Sequence, residues 1–381
     1  MSNINIIKKF KKFNRNSETL LCLGPMSLNS FNAICNSSRF SKYPITVIAS
    51  RNQIESEELG GGYVNNWSTE SFSLFARNNK ANIILARDHA GPYQSSLSTT
   101  NFNNDQDALN DSVKSLKCDI LNGFQFLHLD PSNYSKSTIT LDGMINSLVE
   151  MYGICDEYSK SLNREVYYEI GAEGHSSTIG SSEELEYFLQ RTISEIKKYN
   201  FKYPTFCVAM LGSLVKETRN IGNFSDNIKG NNLKDIKKII NIIHSYDLSV
   251  KQHNADYLCL DVFKKMPSFG LDAINIAPEL GKIETSLILD ILKNHNCTAF
   301  YDRFNQLAFN SNKWKKWVIN TSNFRPEDYT KIAGHYLFST KEFCLLKNEI
   351  LEDIPYIDEI IVAEIEKHIR DLLTCLNICT I

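Results

Sequence analysis

Short apolar or β-branched runs return at regular intervals along this chain, each followed by a segment of helical period. The runs are "TLLCLG" (19–24), "ITVIAS" (45–50), "NIILAR" (82–87), "FQFLHL" (124–129), "EVYYEI" (165–170), "TFCVAM" (205–210), "LSVKQH" (248–253) and "DAINIA" (272–277). Between them lie patterns such as "SSEELEYFLQRTISEIKKY" (181–199), with apolar residues at Leu185, Phe188, Leu189, Ile193 and Ile196 behind a serine cap and early glutamates. Runs that are apolar on both faces suit strands of a parallel sheet covered by helices. An open doubly wound sheet and a closed barrel both satisfy that requirement. The turn after the first run, "CLGPMSLNS", is not the G-x-G-x-x-G of a dinucleotide-binding open sheet. Eight β-α units therefore predict an α/β fold, a (β/α)8 TIM barrel, over residues 1–300. Residues 301–381 break the rhythm and end in "DEIIVAEIEKHIRDLLTCL", which predicts a C-terminal helical extension packed on the barrel or on a neighbouring subunit.

Composition removes several function classes. The net charge of −3 gives no basic field for nucleic acid. No apolar run reaches the roughly 18 residues a membrane span needs. The ten cysteines form no C-x-x-C pair, and without a secretory signal they fit a reducing cytoplasm as small buried residues. The basic N-terminus "MSNINIIKKFKKFNRN" is expected to be a short helix or tail packed under the barrel, with a membrane-surface helix as the alternative.

A barrel of this kind carries its chemistry at the C-terminal ends of its strands, so polar residues there carry the functional information. The second run exits into Arg51, Asn52 and Gln53, the third into Asp88 and His89, and the fourth into Asp130. Glu169 ends the fifth run and Glu173 follows it; the seventh ends in His253, then Asn254 and Asp256; the eighth reaches Asn275 and Glu279. Taken singly, each has a structural reading: a capped histidine, a turn-capping aspartate, a buried ion pair. Converging on one rim, two histidines and one or two glutamates make a divalent-metal site with a position open for substrate. Zinc suits this donor set, and manganese, cobalt or nickel would also accept it. A metal there could polarise a carbonyl while Asp88 moves a proton at the adjacent carbon.

At these residues the chain resembles the class II tagatose-bisphosphate aldolase "non-catalytic subunit" family, and more distantly the zinc-dependent class II fructose-bisphosphate aldolases. "IASRNQIESEELGGGYVNNWSTESF" is similar to the family's S-N-Q-V segment and G-G-Y loop, and "IILARDHAGP" to its I-L-G-G-D-H-L-G-P. "FQFLHLDPS", "YYEIGAEG", "VKQHNADY" and "INIAPEL" follow in the same order, resembling I-H-L-D-A-S, V-I-G-T-E, E-A-H-S-T-D-Y and K-V-G-P-A-L. "NKWKKW" is similar to a late Y-W-K-K-Y segment.

The resemblance implies a barrel whose metal is held by His89, His253 and a glutamate. The family motif points to Glu173, and the class II fructose-bisphosphate aldolase pattern to Glu169. Asp88 aligns with the acid that exchanges protons with substrate, with Glu169 or Asp130 opposite. Arg51, Asn52, Gln53, Asp256, Asn275 and Glu279 are then expected around the substrate. Three departures stand out: Asn275 replaces a family lysine, His335 stands where an arginine would, and Arg51 replaces a small residue. Losing cations weakens the case for a bisphosphate. The expectation is a metal-dependent isomerase or lyase acting on a ketose or ketose phosphate, by epimerisation at carbon four or aldol cleavage. Its alternative is an accessory subunit that stabilises a separate aldolase chain. A homo-oligomer is compatible with either.

Overall fold

The computed structural model describes residues 17–95, 102–137, 139–171, 181–209, 211–222, 231–322 and 324–380, with the side chains of 231 and 232 excepted. The basic N-terminal segment and Glu173 both lie outside the described residues.

Eight parallel strands close a barrel: β1 (Leu20–Leu23), β2 (Ile45–Ser50), β3 (Ile83–Ala90), β4 (Phe126–Leu129), β5 (Tyr167–Ile170), β6 (Phe206–Val208), β7 (Ser249–Gln252) and β8 (Ala273–Ile276). Each strand pairs with its sequence neighbours, and β1 pairs with β8 to close the ring. A two-residue hairpin, Val215–Lys216 against Arg219–Asn220, stands on the loop after β6. The fold predicted from the eight runs is the one observed.

Helices α1 (Leu28–Ser37), α2 (Thr69–Asn79), α3 (Asp105–Asn122), α4 (Leu141–Ser161), α5 (Ser182–Lys198) and α6 (Asn231–Ser245) follow β1 to β6 in turn. Two single-turn helices, α7 (Leu260–Phe263) and α8 (Met266–Phe269), join β7 to β8, and α9 (Pro278–Asn294) follows β8. Local chemistry sets these boundaries. α5 starts at Ser181 in a capping box with Glu184, and its Leu185, Phe188, Leu189, Ile193 and Ile196 are all buried. Each such side chain contributes about 1.5–3 kcal/mol when removed from water. α3 stops at Gly123, whose φ of 88° is the left-handed cap position.

Four more helices complete the chain: α10 (Thr298–Asn310), α11 (Pro326–Ala333), α12 (Lys341–Asp353) and α13 (Ile357–Cys375). α13 packs along α1 and α9 through Ile361, Ile365, Ile369 and Leu372, all fully buried. The final residues return to the first strand, where the Leu376 carbonyl accepts from the Thr19 N–H at 3.1 Å.

Inside the barrel the chemistry changes with height. One tier is apolar: Leu20, Ile84, Phe126, Tyr167, Phe206 and Ala273 form one buried cluster. Two residues further along the same strands, on the same face by the period of two, stand Cys22, Ala86, His128, Glu169, Val208 and Asn275, with Asp88 beyond on β3. This polar tier carries His128, Glu169 and Asn275 among smaller apolar residues, and at this end of the barrel the site is found.

Candidate active site

The "ARDHAGP" segment places an acid and an imidazole side by side on β3. In a regular strand adjacent residues face opposite sides, so Asp88 inside the barrel would send His89 outward. The backbone breaks that rule. His89 has φ +47°, and the pairing of β3 with β4 shifts register between Arg87 and Ala90. This bulge turns both side chains toward the barrel axis. A left-handed histidine costs on the order of 1 kcal/mol or more, and surrounding contacts hold it. Gly91 makes the bend sterically feasible, because a Cβ there would lie 1.7 Å from the Asp130 carbonyl oxygen.

Four side chains meet at this end of the barrel: Asp88, His89, His128 and His253, with one ligand atom from each lying within 4.8 Å of all the others. His253 Nδ1 is 3.2 Å from His89 Nε2 and 3.4 Å from Asp88 Oδ1. Asp88 Oδ1 is 3.8 Å from His89 Nε2 and 4.0 Å from His128 Nδ1. The His89 and His253 rings meet edge-on at 4.8 Å, and His128 and His253 do so at 5.0 Å.

Electrostatics favours cation binding here. His128 is fully buried, and neither of its ring nitrogens has a hydrogen-bond partner among the described residues. Burial, and then the neighbouring imidazole of the pair, push the His128 pKa well below 6.5; burial does the same for His253 against the pull of Asp88. Both imidazoles are thus neutral at pH 7 and offer lone pairs, the form a metal requires. Burial works against ionisation of Asp88, but His89, His253 and Lys251 outweigh it and hold its carboxyl below the usual range. Three imidazoles beside a carboxylate fit a zinc-like divalent cation.

Asp130 supports this group from behind. Its Oδ2 lies 2.8 Å from His89 Nδ1 and also accepts from Gln94 Nε2 at 3.0 Å. Its Oδ1 accepts from the Ser132 N–H at 3.0 Å and from the Ser132 hydroxyl. Burial opposes ionisation of Asp130 too, but these hydrogen bonds and the flanking imidazoles hold its carboxyl below the usual range. A carboxylate only accepts, so His89 Nδ1 carries the proton and Nε2 presents its lone pair to the cluster. Asp130, expected as a second acid, thus hydrogen-bonds to the back of His89. His253 is fixed through its carbonyl, which accepts from Ser213 Oγ at 2.8 Å and from Gln252 Nε2 at 2.5 Å.

Other expected residues are placed differently. Glu169 lies in the polar tier, but Lys251 Nζ donates to both its oxygens at 2.7 and 3.0 Å, with both side chains buried. That ammonium stays protonated: burial works against it, while Cys22, Glu169 and Asp88 outweigh burial. Glu169 is thus bound to a cation below the cluster. Arg51, expected as a substrate cation, is only 1% exposed and turned into the wall, with Nε 2.5 Å from Glu55 and Nη2 2.6 Å from Asp111. Asp256 accepts from the Ala277 and Glu279 N–H groups at 2.9 Å, and Glu279 accepts from the Tyr257 N–H at 2.7 Å. These two carboxyls cap the loop entering α9, and Glu279 also meets His368 of α13 at 3.0 Å. Asn52 is exposed and donates to the Gln94 carbonyl at 3.1 Å. Gln53 is buried and accepts from the Ser50 N–H at 2.7 Å. Asn275 does reach the cluster, its Nδ2 lying 3.3 Å from Asp88 Oδ1.

Sequence reasoning missed His128. The signal was present: Phe126 and His128 share one face of "FQFLHL", so a histidine occupies an inward position near the end of a strand.

No family model and no curated protein matches the chain. Solved structures do. A probable tagatose 6 phosphate kinase from Sinorhizobium meliloti 1021 superposes with a TM-score of 0.71 at 13% identity, over 94% of this chain and 100% of that one. The fructuronate-tagaturonate epimerase UxaE from Cohnella laeviribosi gives 0.61 at 13% identity, over 95% and 82%. A fructose-bisphosphate aldolase from Campylobacter jejuni gives 0.52 at 13% identity, over 99% and 96%. At that identity the likeness is one of architecture, and it establishes that this chain has the (β/α)8 barrel fold those proteins share.

Proposed function

We propose that this chain is a metal-dependent isomerase or lyase acting on a ketose, by epimerisation at carbon four or by aldol cleavage of a fructose- or tagatose-like sugar. The observation that carries the reading is the convergence of His89, His128 and His253 on Asp88 at the C-terminal mouth of the barrel. Those three imidazoles would hold the cation, with zinc favoured and manganese, cobalt or nickel compatible. When bound there, a divalent cation supplies Lewis acidity at a substrate carbonyl oxygen.

The chain's own residues supply the rest. Asp88, held ionised, is the proton acceptor. In the cleavage route it takes the proton of the carbon-four hydroxyl as the bond between carbons three and four breaks, the electron pair moving onto the carbonyl half. Rejoining after the aldehyde has rotated inverts carbon four, and Asp88 returns the proton. Asn275 holds Asp88 through Nδ2; its Oδ1 is buried without a partner among the described residues and can accept from a substrate hydroxyl. Asp130 keeps His89 in the ligating tautomer. The sugar chemistry named for UxaE and the Campylobacter aldolase, both sharing this barrel, agrees with the assignment.

The test is proton NMR in deuterated water on the chain alone, loaded with zinc or manganese, against fructose, tagatose, their phosphates and the corresponding hexuluronates. Conversion that disappears in His89→Ala and His253→Ala is expected, and triose signals would separate cleavage from epimerisation. Full activity after metal stripping would overturn the metal mechanism. Verified metal binding with no turnover on any substrate would overturn the catalytic reading.

A further inference from the structure

Beside the cluster, at the loops after β1 and β2, three hydrogen-bonding groups gather around the Met26 side chain. Gln53 Nε2 and the Tyr63 hydroxyl both point at one acceptor, the Met26 thioether, at 3.7 and 3.8 Å. A thioether is a weak acceptor; Gln53 and Tyr63 face it together and also hydrogen-bond to each other. The third group is His335, brought from the C-terminal helices onto the same place: a Cβ on Gly281 would meet both His335 Cβ at 2.6 Å and Met26 Cβ at 3.0 Å. His335 is 5% exposed, and its Nδ1 has no hydrogen-bond partner among the described residues. Leaving a buried imidazole nitrogen unmatched is costly, and Tyr63 beside it is only part-buried.

The group is uncharged. Burial, reinforced by Lys316, pushes the His335 pKa down to about 3, so the ring is neutral. Lys316 itself lies over the Trp317 and Tyr336 rings, at 4.7 and 5.2 Å. Arg51, just after β2, and Lys251 on β7 are each engaged with buried carboxylates.

We propose that Gln53, Tyr63 and His335 form a subsite for the uncharged, hydroxyl-bearing end of the sugar remote from its carbonyl, with the Met26 sulfur holding the place of a hydroxyl oxygen. This rests on the ketose reading above and narrows it to substrates not phosphorylated at that end. A phosphate there would exchange its water for neutral groups and one ring-bound ammonium, a poor match for its charge.

The experiment is ligand binding to the zinc-loaded full chain, followed by NMR with fructose, tagatose and the 6-phosphate of each, in wild type, Tyr63→Phe and His335→Phe. Cobalt absorption titrations on the same samples report whether the metal cluster is intact. The free ketose should bind at least about tenfold more tightly than its 6-phosphate. Each variant should weaken the free ketose by about fivefold while cobalt binding is unchanged. Equal or tighter binding of the 6-phosphate would overturn the subsite and leave the ketose reading standing. So would wild-type affinity in both cobalt-competent variants. If neither form of either sugar binds, the subsite falls, and turnover of the hexuluronates decides the ketose reading separately.

Discussion

His128 and Asp130 show how two residues on one short segment divide the work. His128 faces the barrel axis with both ring nitrogens unpartnered among the described residues, while Asp130 grips the back of His89. Removing a ligand and removing its support should therefore differ in degree. His128→Ala is expected to abolish tight cobalt binding, and Asp130→Asn to weaken it by about 10–100-fold. Visible absorption during cobalt titration reads both; an unchanged affinity in His128→Ala would remove that residue from the cluster. The sequence showed Asp88, His89 and His253 as strand-end residues, because a period of two and a barrel's polarity are local rules. It did not show that Arg51 is consumed by Glu55 and Asp111, since Asp111 comes from a helix 60 residues away.

Strand β3 is the element that makes the site, and its bulge is what regular alternation could not predict. Two observations explain it: the left-handed φ at His89 and the contact of Gly91 with the Asp130 carbonyl. Gly91→Ala would put a methyl group 1.7 Å from that oxygen, so the strand must retreat. The expected cost is about 1–3 kcal/mol of stability, together with weaker cobalt binding because His89 and Asp130 move apart. Urea denaturation and the cobalt titration check both parts; wild-type values in each would show that the close approach is not required. By contrast, α5 was legible residue by residue, since its cap, first-turn acids and apolar stripe all lie within one stretch of chain.

At the scale of the molecule, the C-terminal helices meet the barrel through a buried carboxyl. Glu284 on α9 accepts from Ser27 Oγ and, at 3.0 Å, from Asn29 Nδ2 on α1; Asn29 also donates to Asp358 of α13 at 2.7 Å. Burial pushes the Glu284 pKa from 4.5 up to about 7, despite those hydrogen bonds. The folded state therefore holds a proton that the unfolded chain has released, and this contribution to stability falls as pH rises from 4.5 to about 7. Glu284→Gln keeps the amide-compatible contacts and removes the titration. Relative to wild type it should gain stability as pH rises, by about 2 kcal/mol between pH 5 and pH 8 in urea denaturation. Taking the difference between variant and wild type cancels the opposing titrations of His128 and His253. A difference that does not change with pH would show that Glu284 titrates normally.

By itself the sequence determined the architecture and the end of the barrel where chemistry sits. Strand and helix periods, caps and the count of repeating units are properties of neighbouring residues, and eight β-α units favour closure. What it could not determine is which polar residues at that end are spent on one another. Glu169 with Lys251 and Asp256 with the amides of α9 are pairings between distant parts of the chain, and Asp130 behind His89 joins two strands. His335 reaches the barrel mouth only because the last helices fold back over it. The tertiary structure decided which side chains lack strong partners, because a hydrogen bond across the barrel depends on closure and register. In this chain the side chains so left include His128 at the barrel mouth and His335 beside Met26.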